Sequence, residues 1–199
     1  MAAPPRPAAT GPVAALVRHW VIAAAYLAGI LALLAPLVYL GWGWQILLIH
    51  LCGVAYAIHQ IEEHWDDRFR AFVNQRMFGG VEALSLNAVW WINVPGVWGI
   101  NIAALYGAIM GSPADGLVAP YLMLVNAVGH GAGAIRFGYN PGLATSVLLF
   151  APIGLAAVMM IPAALVAHGI GLGIAIAIHL AIIGFVLPRA WRSGGKVRA

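Results

Sequence analysis

The sequence predicts an all-α, polytopic membrane protein, a bundle of six transmembrane helices joined by short loops. Of its 199 residues, 63% are hydrophobic and only 8% are charged, a composition typical of chains that reside in lipid. The apolar residues form six runs of about 20 residues each, the length that a helix needs to span a bilayer. Lys and Arg occur only near the termini and in alternate connections between these runs, which favours an even number of crossings.

The six runs predict one transmembrane domain over residues 17–188. Its spans lie at about 17–40, 44–64, 81–110, 117–134, 142–166 and 169–187. The Ala- and Pro-rich residues 1–16 are predicted to form a disordered tail, and residues 189–199 a basic C-terminal tail. Since little of the chain lies outside the spans, any chemistry must come from side chains inside the bundle.

The only long polar connection, residues 66–80, predicts an amphipathic helix at the membrane interface between spans two and three. Aromatic and aliphatic residues recur there at helical spacing, separated by polar ones. The apolar set comprises Phe69, Phe72, Val73, Met77 and Phe78. This helix either anchors the connection at the interface or covers the entrance for a substrate.

All ten basic residues fall on one predicted side of the membrane. They are Arg6, Arg18, Arg68, Arg70, Arg76, Arg136, Arg189, Arg192, Lys196 and Arg198. Because Lys and Arg remain preferentially cytoplasmic, the chain is predicted to be integral to the cytoplasmic membrane with both termini inside. The net charge of +4 then reflects topology and contact with anionic lipid headgroups, and it does not indicate nucleic-acid binding.

Four ionisable side chains lie within residues 59–64, at the end of the second span. Taking a carboxylate into hydrocarbon costs several kcal/mol unless a partner, a cation or water compensates it. Two of the six acidic residues of the chain, Glu62 and Glu63, lie here. The cluster is either a functional site or a structural ion-pair network with Arg68 or Arg136.

The spacing of the cluster indicates a metal site. His59 lies one helical turn from both Glu62 and Glu63, so one helix face presents an imidazole and a carboxylate together. Helical bundles hold zinc, manganese or iron with such pairs, completed by a ligand from a facing helix. The predicted ligands are therefore His59, Glu62, Glu63 and His130, with zinc favoured over manganese or iron.

Further polar residues are predicted at the same depth, on helices four and five and the turn between them. Together with Glu62 and Glu63, the predicted catalytic residues are Asn126, Tyr139 and Asn140. One glutamate would act as a general base, and the asparagines would orient ligands. A pocket that opens at the cytoplasmic leaflet suggests an amphipathic substrate such as a lipid, an isoprenoid or an acyl compound.

Three motifs carry a resemblance to a known family. They are His59-Gln60-Ile61-Glu62-Glu63, Asn126-Ala127-Val128-Gly129-His130, and Tyr139-Asn140-Pro141-Gly142-Leu143-Ala144-Thr145 followed by Pro152. In this order and spacing the chain resembles the HXXEE-domain family of small integral membrane proteins from about Cys52 to Pro152. The resemblance implies a membrane enzyme or metal binder whose reaction is not established.

The leading hypothesis is a metal-dependent membrane enzyme with hydrolase-like chemistry. One alternative is a metal-free lipid isomerase or cyclase in which Glu62 and Glu63 share a proton. Another is a small transporter that relays protons or a cation through the same cluster. Transport requires polar residues through to the opposite face, where the helices carry little beyond His50, Asn93 and Asn101, so a one-sided pocket is favoured. No oligomeric state is predicted.

Overall fold

The structure is a computed structural model that describes residues 11–194, and over this range the chain is all-α. Five helices are long and apolar enough to cross a membrane. They are α1 (Pro12–Met77), α2 (Leu86–Met110), α3 (Pro113–Phe137), α4 (Leu143–Met160) and α5 (Leu165–Arg192).

The described part of the chain thus has five helices of spanning length, and the predicted number of six is wrong. The predicted spans 17–40 and 44–64 both lie in α1, whose α-helical part, Pro12–His64, contains one non-helical residue. That residue is Gly43, with φ 83° and ψ −178°, a conformation that glycine adopts without steric cost. One residue replaces the loop expected between the first two spans, and this is why the helix count differs.

Gly43 reverses the direction of α1. The rings of Trp20 and His64 lie 5.1 Å apart although they belong to opposite ends of the α-helical part. Between them, His50 Nε2 lies 2.8 Å from the Leu31 carbonyl oxygen, to which it donates. The two halves of α1 therefore lie side by side, and residues 59–64 come next to the beginning of the helix.

The boundary between α4 and α5 also differs from the predicted spans 142–166 and 169–187. Helix α4 ends at Met160 and α5 begins at Leu165. Pro162 explains the break, since proline lacks an N–H and disfavours the helical conformation of the residue before it. Ile161 is accordingly extended, with ψ 116°.

The first and last described helices extend further toward the termini than predicted. Helix α1 begins at Pro12, so residues 12–16 are helical, and α5 continues to Arg192, so residues 189–192 are helical as well. Residues 1–10 and 195–199, the rest of the two predicted tails, lie outside the described residues.

The connection after the first hairpin is helical but irregular. It comprises a 3-10 turn at Trp65–Asp67, an α-helical turn at Arg68–Ala71 and a π-helical segment at Phe72–Met77. Asn74 then holds the following non-helical stretch, because its side chain donates to Leu84 O at 2.8 Å and accepts from Leu84 N at 2.9 Å. Helix α2 begins later than predicted, after Ser85 caps it.

Two successive residues at the beginning of this connection, Asp66 and Asp67, have left-handed φ angles of 52° and 60°. Asp66→Val is expected to lower the free energy of unfolding by about 1–2 kcal/mol, because a β-branched side chain is strained there. Asp66→Gly is expected to stay within about 0.5 kcal/mol of wild type, since relief of strain offsets the greater freedom of its unfolded chain. Chemical unfolding in detergent measures both, and equal losses would show that the turn carries no strain.

Two π-helical segments lie next to prolines inside the spans. Ile92–Trp98 contains Pro95, and Ser146–Phe150 ends two residues before Pro152. A missing proline N–H loosens the helical ladder, and π segments shift the side chains around them. Each segment directs one polar residue into the protein, Asn93 in the first and Ser146 in the second, and both are buried.

The hydrophobic core consists of two clusters of buried side chains. The larger one joins the second half of α1 to α3 and α4, with Ile49, Leu122 and Phe150 near its centre. The smaller one lies at the end where Trp20 and Ala190 meet. His59 lies at the end of the larger cluster, with its ring 4.3 Å from that of Phe150.

Candidate metal centre

Three buried side chains converge between α1 and α3. His59 and Glu63 lie one turn apart on α1, and His130 faces them from α3. His59 Nε2 lies 3.4 Å from Glu63 Oε2, and His130 Nε2 lies 3.5 Å from Glu63 Oε1. One ligand atom from each residue lies within 4.8 Å of the other two, a separation at which a single cation can contact all three.

Thr145 determines which nitrogen of His59 faces this group. His59 Nδ1 lies 2.8 Å from Thr145 Oγ1, which also lies 2.5 Å from Glu62 Oε2 and 3.2 Å from Gly142 O. Both oxygens accept only, so the single hydroxyl hydrogen is donated to one of them, and Thr145 must accept from His59 Nδ1–H. In the neutral imidazole, Nε2 then carries the lone pair.

Asn140 orients His130 in the same way. Its Nδ2 donates to the backbone carbonyl oxygen of His130 at 3.0 Å, which turns its Oδ1 toward the imidazole. Oδ1 lies 2.6 Å from His130 Nδ1 and accepts its hydrogen. His130 Nε2 therefore also presents a lone pair to the carboxylate of Glu63.

The arrangement fits a metal ion. His59 Nε2 is buried and has no hydrogen-bond partner among the described residues, since its contact with Glu63 lacks hydrogen-bond geometry. Two nitrogen lone pairs and a carboxylate that converge in a buried site are a donor set that a divalent cation binds. Outer partners that fix the second nitrogen of each histidine are the usual support of metal-bound imidazole.

The motif that supplies two of these ligands also identifies the family of the chain. The profile of the family described as "Protein of unknown function with HXXEE motif" matches residues 50–157, more than half of the sequence. The chain belongs to this family. The resemblance seen in the sequence is thus confirmed, and the matched region contains His59, Glu63, His130, Asn140 and Thr145. No curated protein and no solved structure matches the chain.

The two glutamates of the HXXEE motif have different surroundings. Glu62 lies outside the three-residue group and binds the turn between α3 and α4. Its Oε1 accepts from Tyr139 Oη at 2.8 Å and Ala144 N at 3.2 Å, and its Oε2 accepts from Thr145 N at 2.8 Å. Its carboxylate raises the pKa of Tyr139 above the ordinary value for tyrosine. Glu62 therefore fastens the turn that carries the outer partner of His59.

The Thr145 hydroxyl contacts both His59 and Glu62 of the HXXEE motif. Removing it therefore tests whether these outer contacts support metal binding. Thr145→Val is expected to weaken zinc binding about 10-fold or more, because His59 loses the acceptor that fixes its ring. Thr145→Ser keeps the hydroxyl and is expected to bind within about twofold of wild type. Competition with a fluorescent zinc chelator measures both affinities, and equal affinities of the valine and serine variants would contradict this role.

A chain of buried amides leads from α2 to the residue after the motif. The indole N–H of Trp98 only donates, and it does so to Gln60 Oε1 at 2.6 Å. Gln60 Nε2 consequently donates to Asn93 Oδ1 at 3.1 Å, and Asn93 Nδ2 faces His64 Nε2 at 3.2 Å and Val89 O at 2.9 Å. Each amide orientation follows from the indole N–H.

His64 is thereby held against the carboxylate of the metal group. Its Nε2 lies 3.0 Å from Glu63 Oε2. His64 belongs to the ionisable cluster of the sequence, but neither it nor Gln60, Asn93 or Trp98 is among the predicted ligands and catalytic residues. Two of these residues could have been identified by their position, since Gln60 lies inside the HXXEE motif and His64 directly follows it.

The metal group lies at the wall of a cavity of about 490 Å³. Polar side chains cover the wall around the group, and they are His59, Glu63, His64, Asn93, Asn126, His130, Asn140 and His179. The other walls are apolar and come mainly from residues 69–78 and from α5. The ring of Phe69 lies 5.9 Å from that of His130 and 5.7 Å from that of His64, so it covers the group from the connection.

The predicted catalytic residues divide between this cavity and the turn. Asn126 lines the cavity, and its Oδ1 is buried without a hydrogen-bond partner in the described part of the chain. Asn140 lines it as well and fixes His130. Tyr139 is 58% exposed and donates to Glu62, so it lies in the turn and not among the lining residues.

Proposed function

We propose that the chain is integral to the cytoplasmic membrane, with α1 crossing it twice and with both termini inside. Support comes from the reversal of α1 at Gly43, which allows that element to cross twice. The smaller core cluster unites Trp20, Val73 and Ala190, so the segments that carry most of the basic residues meet at one end of the bundle. Such a one-sided basic end faces the cytoplasm by the positive-inside rule.

We further propose that it is a metal-dependent enzyme with zinc held by His59, Glu63 and His130. The observation that carries this proposal is the pair of imidazoles whose Nε2 lone pairs face one buried carboxylate. Two histidines and one glutamate form a ligand set found in catalytic zinc sites, which keep a fourth position open. When bound, such an ion supplies Lewis acidity toward a carbonyl or phosphoryl oxygen.

The proposed substrate is amphipathic, with a polar reacting group and a hydrocarbon part. The cavity volume of about 490 Å³ lies in the range of small-molecule sites. Its polar wall surrounds the metal group, whereas Phe72, Met77 and Val186 belong to its apolar walls. A lipid, isoprenoid or acyl compound matches this division.

The side chains around the group have separable roles in this proposal. Asn126 accepts a hydrogen bond from the polar group of the substrate, because its buried Oδ1 has no other partner in the described range. His64, whose Nε2 accepts from Asn93 Nδ2, lines the cavity beside Glu63. Phe69 excludes water from the histidines. Glu62 and Tyr139 hold the turn in position.

Elemental analysis of the purified protein tests the proposal. Wild type purified with zinc present is expected to retain about one equivalent, whereas His59→Ala and His130→Ala are expected to retain less than about a tenth of it. His168→Ala is a matched control, because His168 hydrogen bonds to Tyr121 and is not in the group. Absence of stoichiometric metal from wild type, or equal content in all variants, would refute the metal site.

A further inference from the structure

A second cavity opens on the outer surface of the bundle between α2 and α5. Its volume is about 560 Å³, and nearly all of its lining is apolar. Trp91 on α2 is 63% exposed and Phe185 on α5 is 40% exposed, so its rim is open to the surroundings. In a helix bundle that spans a membrane, this lipid-side groove faces hydrocarbon.

The length of the groove suits a hydrocarbon chain. Its lining on α5 extends from Ile178 to Arg189, which is about 16 Å at a rise of 1.5 Å per residue. Ile92 and Ile100 line the opposite wall on α2. Aliphatic walls of this kind contact a methylene chain without leaving a polar group unpaired.

One end of the groove carries a positive charge. The guanidinium carbon of Arg189 lies 3.4 Å from the centre of the Phe185 ring, a cation–π contact that holds the charge at the mouth. Arg189 has no acidic partner in the described part of the chain. Ser85 and Asn87 line the same end with polar side chains. The charge and the neighbouring polar groups complement an anionic phosphate headgroup.

The groove also adjoins the cavity that contains the metal group. Ile92, Val97, Ile178 and Ile182 line both spaces. One layer of aliphatic side chains therefore separates a molecule in the groove from the inner cavity. Such side chains change rotamer far faster than an enzyme turns over, so they do not form a permanent barrier between the two spaces.

We propose that this groove binds an anionic phospholipid, with the phosphate at Arg189 and an acyl chain along α5, and that it is the lateral entrance to the inner cavity. Lipid binding is argued only from the lining and charge of the groove, and it does not depend on the metal site. Its role as an entrance rests on the proposed function, because it assigns the substrate to the class of anionic acyl lipids.

Photo-crosslinking of the full chain in nanodiscs tests the headgroup. Phosphatidylglycerol with a diazirine on its acyl chain is expected to label α5 peptides about fivefold more than the matching phosphatidylcholine. Arg189→Gln is expected to remove this preference. Arg192→Gln is the control, since Arg192 ends the same helix outside the groove lining, and it is expected to keep the preference. Equal labelling by both lipids, or a preference retained in Arg189→Gln, would overturn the proposal.

A bulky residue at the shared layer tests the entrance. Ile182→Trp is expected to abolish labelling of the inner-cavity residues Phe72 and Met77 while the groove remains labelled. Leu180→Trp is the control, because Leu180 is 61% exposed and lines neither cavity. Labelling of Phe72 and Met77 that is unchanged in Ile182→Trp, or that is absent in wild type, would refute the role of the groove as an entrance. Zinc content is measured on the same samples, so that a failure of the proposed metal site can be distinguished from a failure of the proposed entrance.

Discussion

Gly142→Ala is expected to abolish metal binding and to lower the free energy of unfolding by roughly 2–5 kcal/mol. A Cβ at this position would lie 2.6 Å from His130 Cε1 and 2.7 Å from His59 Cε1, so both imidazoles must move. Overpacking of a buried site costs about 1–3 kcal/mol. The φ of +95° adds a further cost of about 1–2 kcal/mol for any residue with a side chain.

Gly138→Ala separates the steric effect from the backbone effect. Gly138 lies in the same turn with φ +74°, and a Cβ there would meet nothing within 4 Å. This variant is expected to lose about 1–3 kcal/mol of stability, because φ 74° with ψ −158° is a region that side chains rarely occupy, and to keep its zinc. Chemical unfolding and elemental analysis of both variants provide the comparison. Equal effects on zinc content would contradict the close approach of Gly142 to the two histidines.

The pairing of His59 with Glu63 was predictable, but the division of labour between the two glutamates was not. Residues three and four positions after a histidine both share its helix face, so the sequence offers Glu62 and Glu63 equally. The packing of the turn at 139–145 separates them, because it presents two backbone N–H groups and the Thr145 hydroxyl to Glu62. Such a tertiary contact leaves no local pattern in the sequence.

The helix count and the buried amide chain were missed for related reasons. Glycines near residue 43 predict a turn, but they do not reveal that a single residue reverses α1. Asn93 was assigned to the outer half of a span, whereas its amide lies 3.2 Å from His64 Nε2. The π-helical segment around Pro95 shifts the residues there out of regular helical register. Pro95 was the available signal for that irregularity.

Glu63→Gln is expected to bind zinc more than about 100-fold more weakly than wild type, while the protein remains folded. Outer partners alone contribute about 10- to 100-fold, and this change removes the only anionic ligand of the group. The amide nitrogen of the glutamine, placed where Oε2 now lies, can donate to His59 Nε2 and His64 Nε2, which lie 3.4 and 3.0 Å from that oxygen. Stability of the metal-free protein is therefore expected to stay within about 1 kcal/mol of metal-free wild type.

Glu62→Gln is expected to destabilise the protein more than Glu63→Gln does, and to weaken zinc binding less. Its amide nitrogen would replace one of the two oxygens and face the backbone N–H of either Ala144 or Thr145, so the turn loses a hydrogen bond and about 1–3 kcal/mol of stability. Zinc affinity should fall only about 10-fold, because Glu62 acts on His59 through Thr145. Isothermal titration with zinc and chemical unfolding, applied to both glutamine variants, measure the two effects independently. If Glu62→Gln lost zinc as completely as Glu63→Gln, then Glu62 would be a direct ligand, as its place in the motif predicts, and the turn would have to open when the metal binds.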